Sequence, residues 1–406
     1  MNDPVIAVDV SKGRCHFQAF LDRDRPLRKP RILKDDKEDL SQILDVIDEI
    51  KRKLKEDIVY VIFEATGVYH RCLQKFLDDH DIPYIIIPPL LSANYRKLKI
   101  HGNKTDPLDC ANLAAVYYAY NDLRPYDHDL KVYEDLRKLS RYYDSELIEL
   151  KRLKVRFRAL LDIIYPLIDR SFKAGNTIYD PTYLMILEHY PHPSLLLKHK
   201  EATIINRLTN MIDHSETFIA KTVKIFYNTA TKVYPGVDKD DIEVEELKDI
   251  VLKIKAKIKG CDDILKRMID LAKTLPHYYA IVSIVGIGEN LAARIIAEIG
   301  DARRYDDREA LVAYAGLNPC IRQSGDIDGI HLSISKKGNR RLRCLLYLGA
   351  SCNYRLKKND PLYLFNQKKR QQVDHPLRPK AANIATARKL LNIIYSLSKS
   401  GEVYNF

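Results

Sequence analysis

Asp9 ends the apolar run Val5-Ile6-Ala7-Val8, and Glu64 directly follows the run from Ile58 to Phe63. Both runs have the length and composition of buried strands. A carboxylate at the end of such a strand is costly to desolvate unless a donor or a cation meets it. Asp106 and Asp109 stand three residues apart where a helical pattern begins, so they share one helix face. Four acids brought together repel one another, and a divalent cation removes that cost. All-oxygen donors suit Mg²⁺ or Mn²⁺, and a pair of such ions can clamp a scissile phosphodiester. Each acid alone has a plainer reading. Asp106 before Pro107 caps a helix, Asp109 favours the positive helix end, and Glu64 before Ala65-Thr66-Gly67 is a turn residue. Taken together, they favour a metal site.

A second constellation lies near the other end of the chain. Gly286-Ile287-Gly288 precedes a helical pattern from Leu291 to Ile299, and a Gly-x-Gly turn opening a helix can offer backbone N–H groups to a phosphate. Ser324 follows in Arg322-Gln323-Ser324-Gly325. Serine attacks phosphorus only when a base or an electropositive site activates it, and Arg322 would supply positive charge. By itself Ser324 reads equally as a turn residue. Lys336, Lys337, Arg340, Arg341 and Arg343 then form a basic cluster able to track a nucleic-acid backbone, and Lys12, in the turn after Asp9, is a further candidate. The plain alternative is a solvated basic face.

The charge distribution supports a polyanionic partner. The chain of 406 residues carries +12, and the segment from Arg303 to Phe406 alone holds 20 Lys and Arg against 8 Asp and Glu. The excess therefore sits in the last quarter of the chain. Apolar residues make up 46% and charged residues 30%, which fits folded domains rather than disorder. No apolar run reaches the length of a membrane span, and the first residues lack the pattern of a signal peptide. The seven cysteines are scattered without a CxxC pair, as expected of reduced thiols in a cytosol. There is no Walker motif, dinucleotide fingerprint or HExxH motif. The expected location is the cytoplasm of a prokaryote, in association with the nucleoid.

The elements that must position these residues follow from periodicity. Residues 1–125 alternate strand and helix patterns in the order β-β-β-α-β-α-β-α, the order of a ribonuclease-H-like domain. Residues 126–275 are almost wholly helical. One stripe runs through Leu136, Leu139, Tyr143, Leu150, Phe157 and Ile164, and another through Leu247, Ile250, Ile254, Ile258, Leu265 and Met268. Such stripes pack on one another within a chain or between chains as coiled coils. Residues 276–406 form the basic, mostly helical third part.

In combination the motifs are more specific than any one of them. Asp9 in VIAVDVSK, Glu64 in FEATGVY, and Asp106 and Asp109 in GNKTDPLDCANLA resemble the DEDD site of the insertion-sequence-110 family of transposases. VGIGENLAARIIAEIGD, YAGLNPCIRQSG and SKKGNRRLRCLL resemble that family's second transposase domain. The resemblance implies a RuvC-like first domain and a composite site in which the four acids hold Mg²⁺ and Ser324 attacks DNA, forming a covalent phosphoserine. It also implies a structured non-coding RNA that pairs with element and target DNA, and a homo-oligomer, from dimer to tetramer, around double-stranded DNA. Cys110 stands after Asp109 where a small alanine is commoner in the family. Two other readings compete. One is a metal-only junction nuclease with Ser324 structural; the other is a non-catalytic nucleic-acid-binding scaffold, for which converging acids would have no use.

Overall fold

A computed structural model describes residues 3–55, 57–98, 106–120, 122–127, 130–171, 178–319, 323–324, 327–328 and 333–405. The chain divides into two compact units, Met1–Asp129 and Leu130–Phe406.

The first unit is built on a mixed sheet. β1 (Val5–Ser11) and β2 (Arg14–Asp22) form a hairpin, extended by the short β3 (Arg25–Pro26) and by β4 (Arg31–Lys34), both paired with β2. α1 (Lys37–Leu54) starts at Asp36, whose side chain accepts from the Asp39 N–H, and it ends in a basic turn of Lys51, Arg52 and Lys53. β5 (Tyr60–Glu64) then runs parallel to β1, and after α2 (His70–Asp79), β6 (Tyr84–Ile87) runs parallel to β5. The strand order is β3-β2-β1-β5-β6. β1 is central, and Val5, Ile6, Ala7 and Val8 are fully buried, as a strand covered on both faces requires. α3 (Pro89–Leu98) and α4 (Asp106–Ala119) complete the unit. Leu40, Ile43, Ile47, Leu73 and Leu77 from α1 and α2 pack on one sheet face. Cys110, Leu113, Val116 and Tyr117 from α4 pack on the other.

In the second unit two long helices dominate. α5 (Lys131–Ile164) carries the first apolar stripe. After α6 (Pro181–His189), α7 (Pro193–Leu196), α8 (Glu201–Thr209) and α9 (Glu216–Ala230), α10 (Ile242–Lys273) carries the second. The two stripes pack against each other: Leu150, Phe157 and Ile164 share one apolar cluster with Leu247, Ile250 and Ile254. Polar pairs fix an antiparallel register. Arg156 donates to both carboxylate oxygens of Glu246 at 2.7 and 2.6 Å, and the Lys257 ammonium reaches Glu146 at 2.7 Å and Glu149 at 2.5 Å. The same helices enter a second cluster through Tyr133, Leu136, Met268 and Ala272, which join the remaining elements there. Those are α11 (Tyr278–Val282), α12 (Glu289–Ile299), α13 (Arg308–Ala315), the small hairpin β7 (Gln323–Ser324) and β8 (Ile327–Asp328), α14 (Arg340–Leu356), α15 (Pro361–Gln371) and α16 (Pro379–Ser400). No helix among the described residues is long and apolar enough to cross a membrane.

Candidate functional site

Asp9 and Glu64 fall on the sheet face covered by α4, the helix that carries Asp106 and Asp109. β1 and β5 pair in register up to Val8 opposite Phe63, so Asp9 and Glu64 are the next residues on neighbouring parallel strands. Side chains alternate along a strand, which puts Asp9 on the face of Val5 and Ala7, and Glu64 on the face of Ile62. Val5, Ala7 and Ile62 belong to the cluster sealed by α4. On that helix, Asp106 and Asp109 precede Cys110, Leu113, Val116 and Tyr117 at helical spacing. Asp9, Glu64 and Asp109 are half-buried; the side chain of Asp106 lies outside the described residues.

Three further residues belong to this site, and the sequence reading passed over all of them as functional groups. Ser92 on α3, almost fully buried, donates from its hydroxyl to Glu64 Oε2 at 2.6 Å. His16, also buried, stands opposite Asp9 in the β1–β2 ladder, and its carbonyl accepts from the Cys110 thiol at 3.2 Å. His16 could have been found from the two-residue turn at Lys12-Gly13, which fixes the hairpin register. Ser92 leaves no such signal, because it lies 28 residues from its partner. Burial pushes the Cys110 thiol up to about 12; the charges of Asp9 and Asp109 push the same way, while a hydrogen bond with the Asp9 backbone opposes them. Asp9 and Asp109 thus act on one buried point between strand and helix.

The donors available here are carboxylate oxygens, which match a hard divalent cation and not a soft one. Among the described residues no three His, Cys, Asp or Glu side chains close into a cage. Acids on this side of the sheet that could hold such an ion are Asp9, Glu64 and Asp109, with Asp106 three residues before Asp109 on α4. Lys12 is exposed in the turn that follows β1.

The second unit positions the other constellation. Gly286 adopts φ of +91°, and a Cβ there would stand 2.6 Å from the Asn353 backbone nitrogen on α14, so the turn is wedged against that helix. Asn353 holds it further by donating to the Val285 carbonyl at 3.0 Å. Gly288 is the N-cap of α12, exposed, with no atom within 4 Å of where a Cβ would be. Arg355 and Lys358, both exposed, line the same depression of about 600 Å³. These two cations were not singled out from the sequence, because they lie far along the chain from the glycines.

Ser324 lies on β7, paired with Ile327 on β8; its side chain, and the whole of Arg322, lie outside the described residues. A stem closes the segment that contains them. Pro319 bridges to Ile334, Ser335 N–H donates to the Asn318 carbonyl at 2.8 Å, and Ser335 Oγ donates to Asn318 Oδ1 at 2.6 Å. The basic cluster divides in two. Lys336, Lys337 and Arg340 are exposed. Arg341 is exposed but its Nε lies 3.5 Å from an Asp144 carboxylate oxygen. Arg343 is half-buried and donates from Nη1 to the Ala315 carbonyl at 2.8 Å, so it secures the end of α13 instead of facing solvent. Arg340, Arg341, Lys151 and Arg294 line a cleft of about 800 Å³ between α5, α12 and α14.

Comparison with known proteins gives this architecture a class. A DEDD transposase family model, described as "Transposase", matches residues 6–166, from β1 to just past the end of α5. A second, "Transposase IS116/IS110/IS902 family", matches residues 278–364, from α11 into α15. The protein is thus a DNA transposase, an enzyme of DNA recombination. It belongs to the IS110 family of insertion-sequence transposases. Similar proteins include the uncharacterized 44.8 kDa protein of insertion element IS116 from Streptomyces clavuligerus, 24% identical over 98% of this chain and 95% of that one. The mini-circle putative transposase for IS117 of Streptomyces coelicolor is 26% identical over 77% of this chain and 75% of its own. The transposase of element IS1111A from Coxiella burnetii is 31% identical over 33% of this chain and 36% of its own. The family's DEDD designation carries with it a divalent metal cofactor.

Proposed function

We propose that this transposase cuts and rejoins insertion-element and target DNA by transesterification. Ser324 is the nucleophile, and Asp9, Glu64, Asp106 and Asp109 hold Mg²⁺ in a RuvC-like domain. The observation that carries the metal site is the placement of Asp9 and Glu64 at the ends of adjacent parallel strands, under the helix that bears Asp109. A bound divalent cation would lower the cost of negative charge developing on a phosphodiester. The protein's own groups do the rest. Ser92 holds the Glu64 carboxylate through a short hydrogen bond, which would orient it for a bound cation. Buried Cys110 stays a neutral thiol and adds no negative charge beside the acids. Attack of Ser324 Oγ on phosphorus displaces a deoxyribose oxygen and leaves DNA joined to the chain as a phosphoserine. The phosphodiester energy is kept, so resealing needs no nucleotide cofactor.

DNA binding is assigned to the basic residues that remain exposed, Lys336, Lys337, Arg340 and Arg341, with Lys12 in the first unit and the Gly286–Gly288 turn as a backbone contact. Guidance by a structured non-coding RNA and assembly as a homo-oligomer through residues 126–275 complete the reading. The exposed apolar positions Tyr142, Ile148 and Val155 along α5 favour the latter. Residues 276–406 form the segment that carries Ser324.

Purified protein, Mg²⁺, RNA transcribed from the element's end and labelled element-end duplex test this together. The expected result is a denaturation-resistant protein–DNA adduct in wild type that is absent in Ser324→Ala and in Asp9→Ala. Cleavage without an adduct, lost in Asp9→Ala and kept in Ser324→Ala, would establish a metal-only nuclease instead.

A further inference from the structure

Glu298 is buried to 1% exposure in the last turns of α12. A carboxylate in that position is more costly than an apolar residue of the same volume unless its bonds do something a hydrophobe could not. Its Oε2 accepts from Asn339 Nδ2 at 2.7 Å, and its Oε1 lies 3.7 Å from Arg141 Nε. Asn339 in turn is the N-cap of α14, with Oδ1 accepting from the Leu342 N–H at 3.1 Å. Its own N–H donates to the Tyr314 carbonyl at 2.7 Å, and the Tyr314 hydroxyl donates to the Glu298 carbonyl at 3.1 Å. The neighbouring glycines admit no slack. A Cβ on Gly338 would meet the Tyr314 carbonyl oxygen at 2.4 Å, and one on Gly316 would meet the Lys337 carbonyl oxygen at 2.8 Å. This knot joins the end of α12, the end of α13 and the start of α14. Directly from it spring both sides of the stem around Ser324: Lys336 N–H donates to the Gly316 carbonyl at 3.2 Å, and Ser335 to Asn318.

We infer that Glu298 and Asn339 are positioning residues for the reaction, a donor–acceptor pair of one buried and one half-buried side chain that fixes the root of the Ser324 hairpin and the first residues of the basic helix. The inference rests on the reading of Ser324 as nucleophile. Glu298, only 1% exposed at the floor of the cleft that Arg340 and Arg341 line, acts through Asn339. It orients Asn339, Asn339 sets where the stem leaves α13 and where α14 begins, and the stem sets where the serine segment is presented. A displacement of the root by a fraction of an ångström would leave DNA binding intact and slow the chemistry, since attack depends on alignment far more steeply than phosphate contacts do.

Asn339→Asp tests the pair without removing the cap, because Asp also accepts from the Leu342 N–H. It replaces the donor to Glu298 by a second carboxylate; when both are ionised they repel, and that repulsion raises the pH at which the pair takes up one proton. Single-turnover adduct formation on the element-end duplex, with RNA and Mg²⁺, is measured beside equilibrium binding of the same duplex. At pH 8 Asn339→Asp is expected to form adduct about tenfold or more slowly with little change in DNA affinity. As pH falls toward 6 its rate relative to wild type rises, because the pair takes up a proton and the donor returns. The exchanged pair Glu298→Gln/Asn339→Asp, in which Gln donates and Asp accepts, restores the rate at pH 8. Should Asn339→Asp fail to fold, the exchanged pair carries the test alone: near wild-type cleavage supports the inference, and slow cleavage with intact DNA binding overturns it. Full-rate cleavage by Asn339→Asp overturns it too. Ser324→Ala run in parallel separates the two ideas. Cleavage that survives Ser324→Ala refutes the nucleophile and the inference built on it, whereas loss in Ser324→Ala with full activity in Asn339→Asp refutes the positioning pair alone.

Discussion

The two glycines of Gly286-Ile287-Gly288 should fail in opposite ways when each is given a methyl group. Gly286 has φ of +91° and its added Cβ would lie 2.6 Å from the Asn353 nitrogen and 2.8 Å from its Cα, all backbone atoms of α14. The left-handed backbone costs an L residue about 1–2 kcal/mol. Forcing α14 aside adds about 1–3 kcal/mol as overpacking. Gly286→Ala is therefore expected to lose about 2–5 kcal/mol, and for a unit of this size the thermal midpoint falls by roughly 5–15 °C. Gly288 has φ of −85° and ψ of 171°, which any residue adopts, with open space where the Cβ would go. Gly288→Ala at an N-cap costs only about 0.5–1 kcal/mol. Its methyl, however, projects where a phosphate would approach the N–H groups of α12. A duplex-DNA affinity weaker by about tenfold, or roughly 1.4 kcal/mol, is the expected result. Thermal unfolding followed by circular dichroism at 222 nm reads the first effect. Fluorescence anisotropy of a labelled duplex at one fixed salt concentration reads the second. An unchanged midpoint in Gly286→Ala would refute the steric argument, and wild-type affinity in Gly288→Ala would refute the phosphate contact.

Arg340→Ala should weaken DNA binding and reduce the slope of log affinity against log salt by about 1, with unchanged stability. Arg343→Ala should instead lose about 1–2 kcal/mol of stability, because the Ala315 carbonyl is left without its 2.8 Å donor; paired salt titrations and denaturant melts distinguish the two. Cys15 and Cys110, whose thiols burial holds up at about 12, should resist iodoacetamide at pH 8.5 in the native protein, while exposed Cys72 and Cys344 react; peptide mass spectrometry reads the pattern. His277, stacked on Tyr133 with ring centroids 5.8 Å apart, is held by burial below its ordinary value of 6.5. The unfolded chain then binds the proton first, so stability is complete above pH 6.5 and declines as pH falls through and below that value. Thermal midpoints between pH 7.5 and 5.5 should drop less in His277→Phe than in wild type.

The sequence carries the local features of the fold and little of its long-range wiring. The β1–β2 hairpin is readable because Lys12-Gly13 is a two-residue turn between apolar runs, and α1 because Asp36 and the spacing of Leu40, Ile43, Ile47 and Ile50 mark its start and face. The long helices α5 and α10 follow their stripes, and these stripes meet each other within one chain, with Arg156–Glu246 and Lys257–Glu146 pairing across 90 and 111 residues of sequence. α3 escaped notice because Pro88-Pro89 reads as a stop, although a proline also suits the first turn of a helix. Helix α2 begins only at His70, since Gly67 at φ of +53° continues the turn after β5. In the candidate site the acids announce themselves by interrupting apolar strands. Ser92, His16, Glu298 and the inward course of Arg343 do not, because each takes its meaning from a partner on another element.

The α5–α10 pair also has a mechanical meaning. At 1.5 Å per residue, the 34 residues of α5 span about 50 Å, and salt bridges lock α10 alongside it. One end is set in the apolar cluster shared with α11 to α16, the other in the cluster shared with α6 to α9. Such a strut works as a lever. A turn of 10° at its root would swing the far end by roughly 9 Å, about the rise of two to three base pairs of DNA. A small rotation where Ser324's segment is anchored would, by this geometry alone, be magnified at the distal helices.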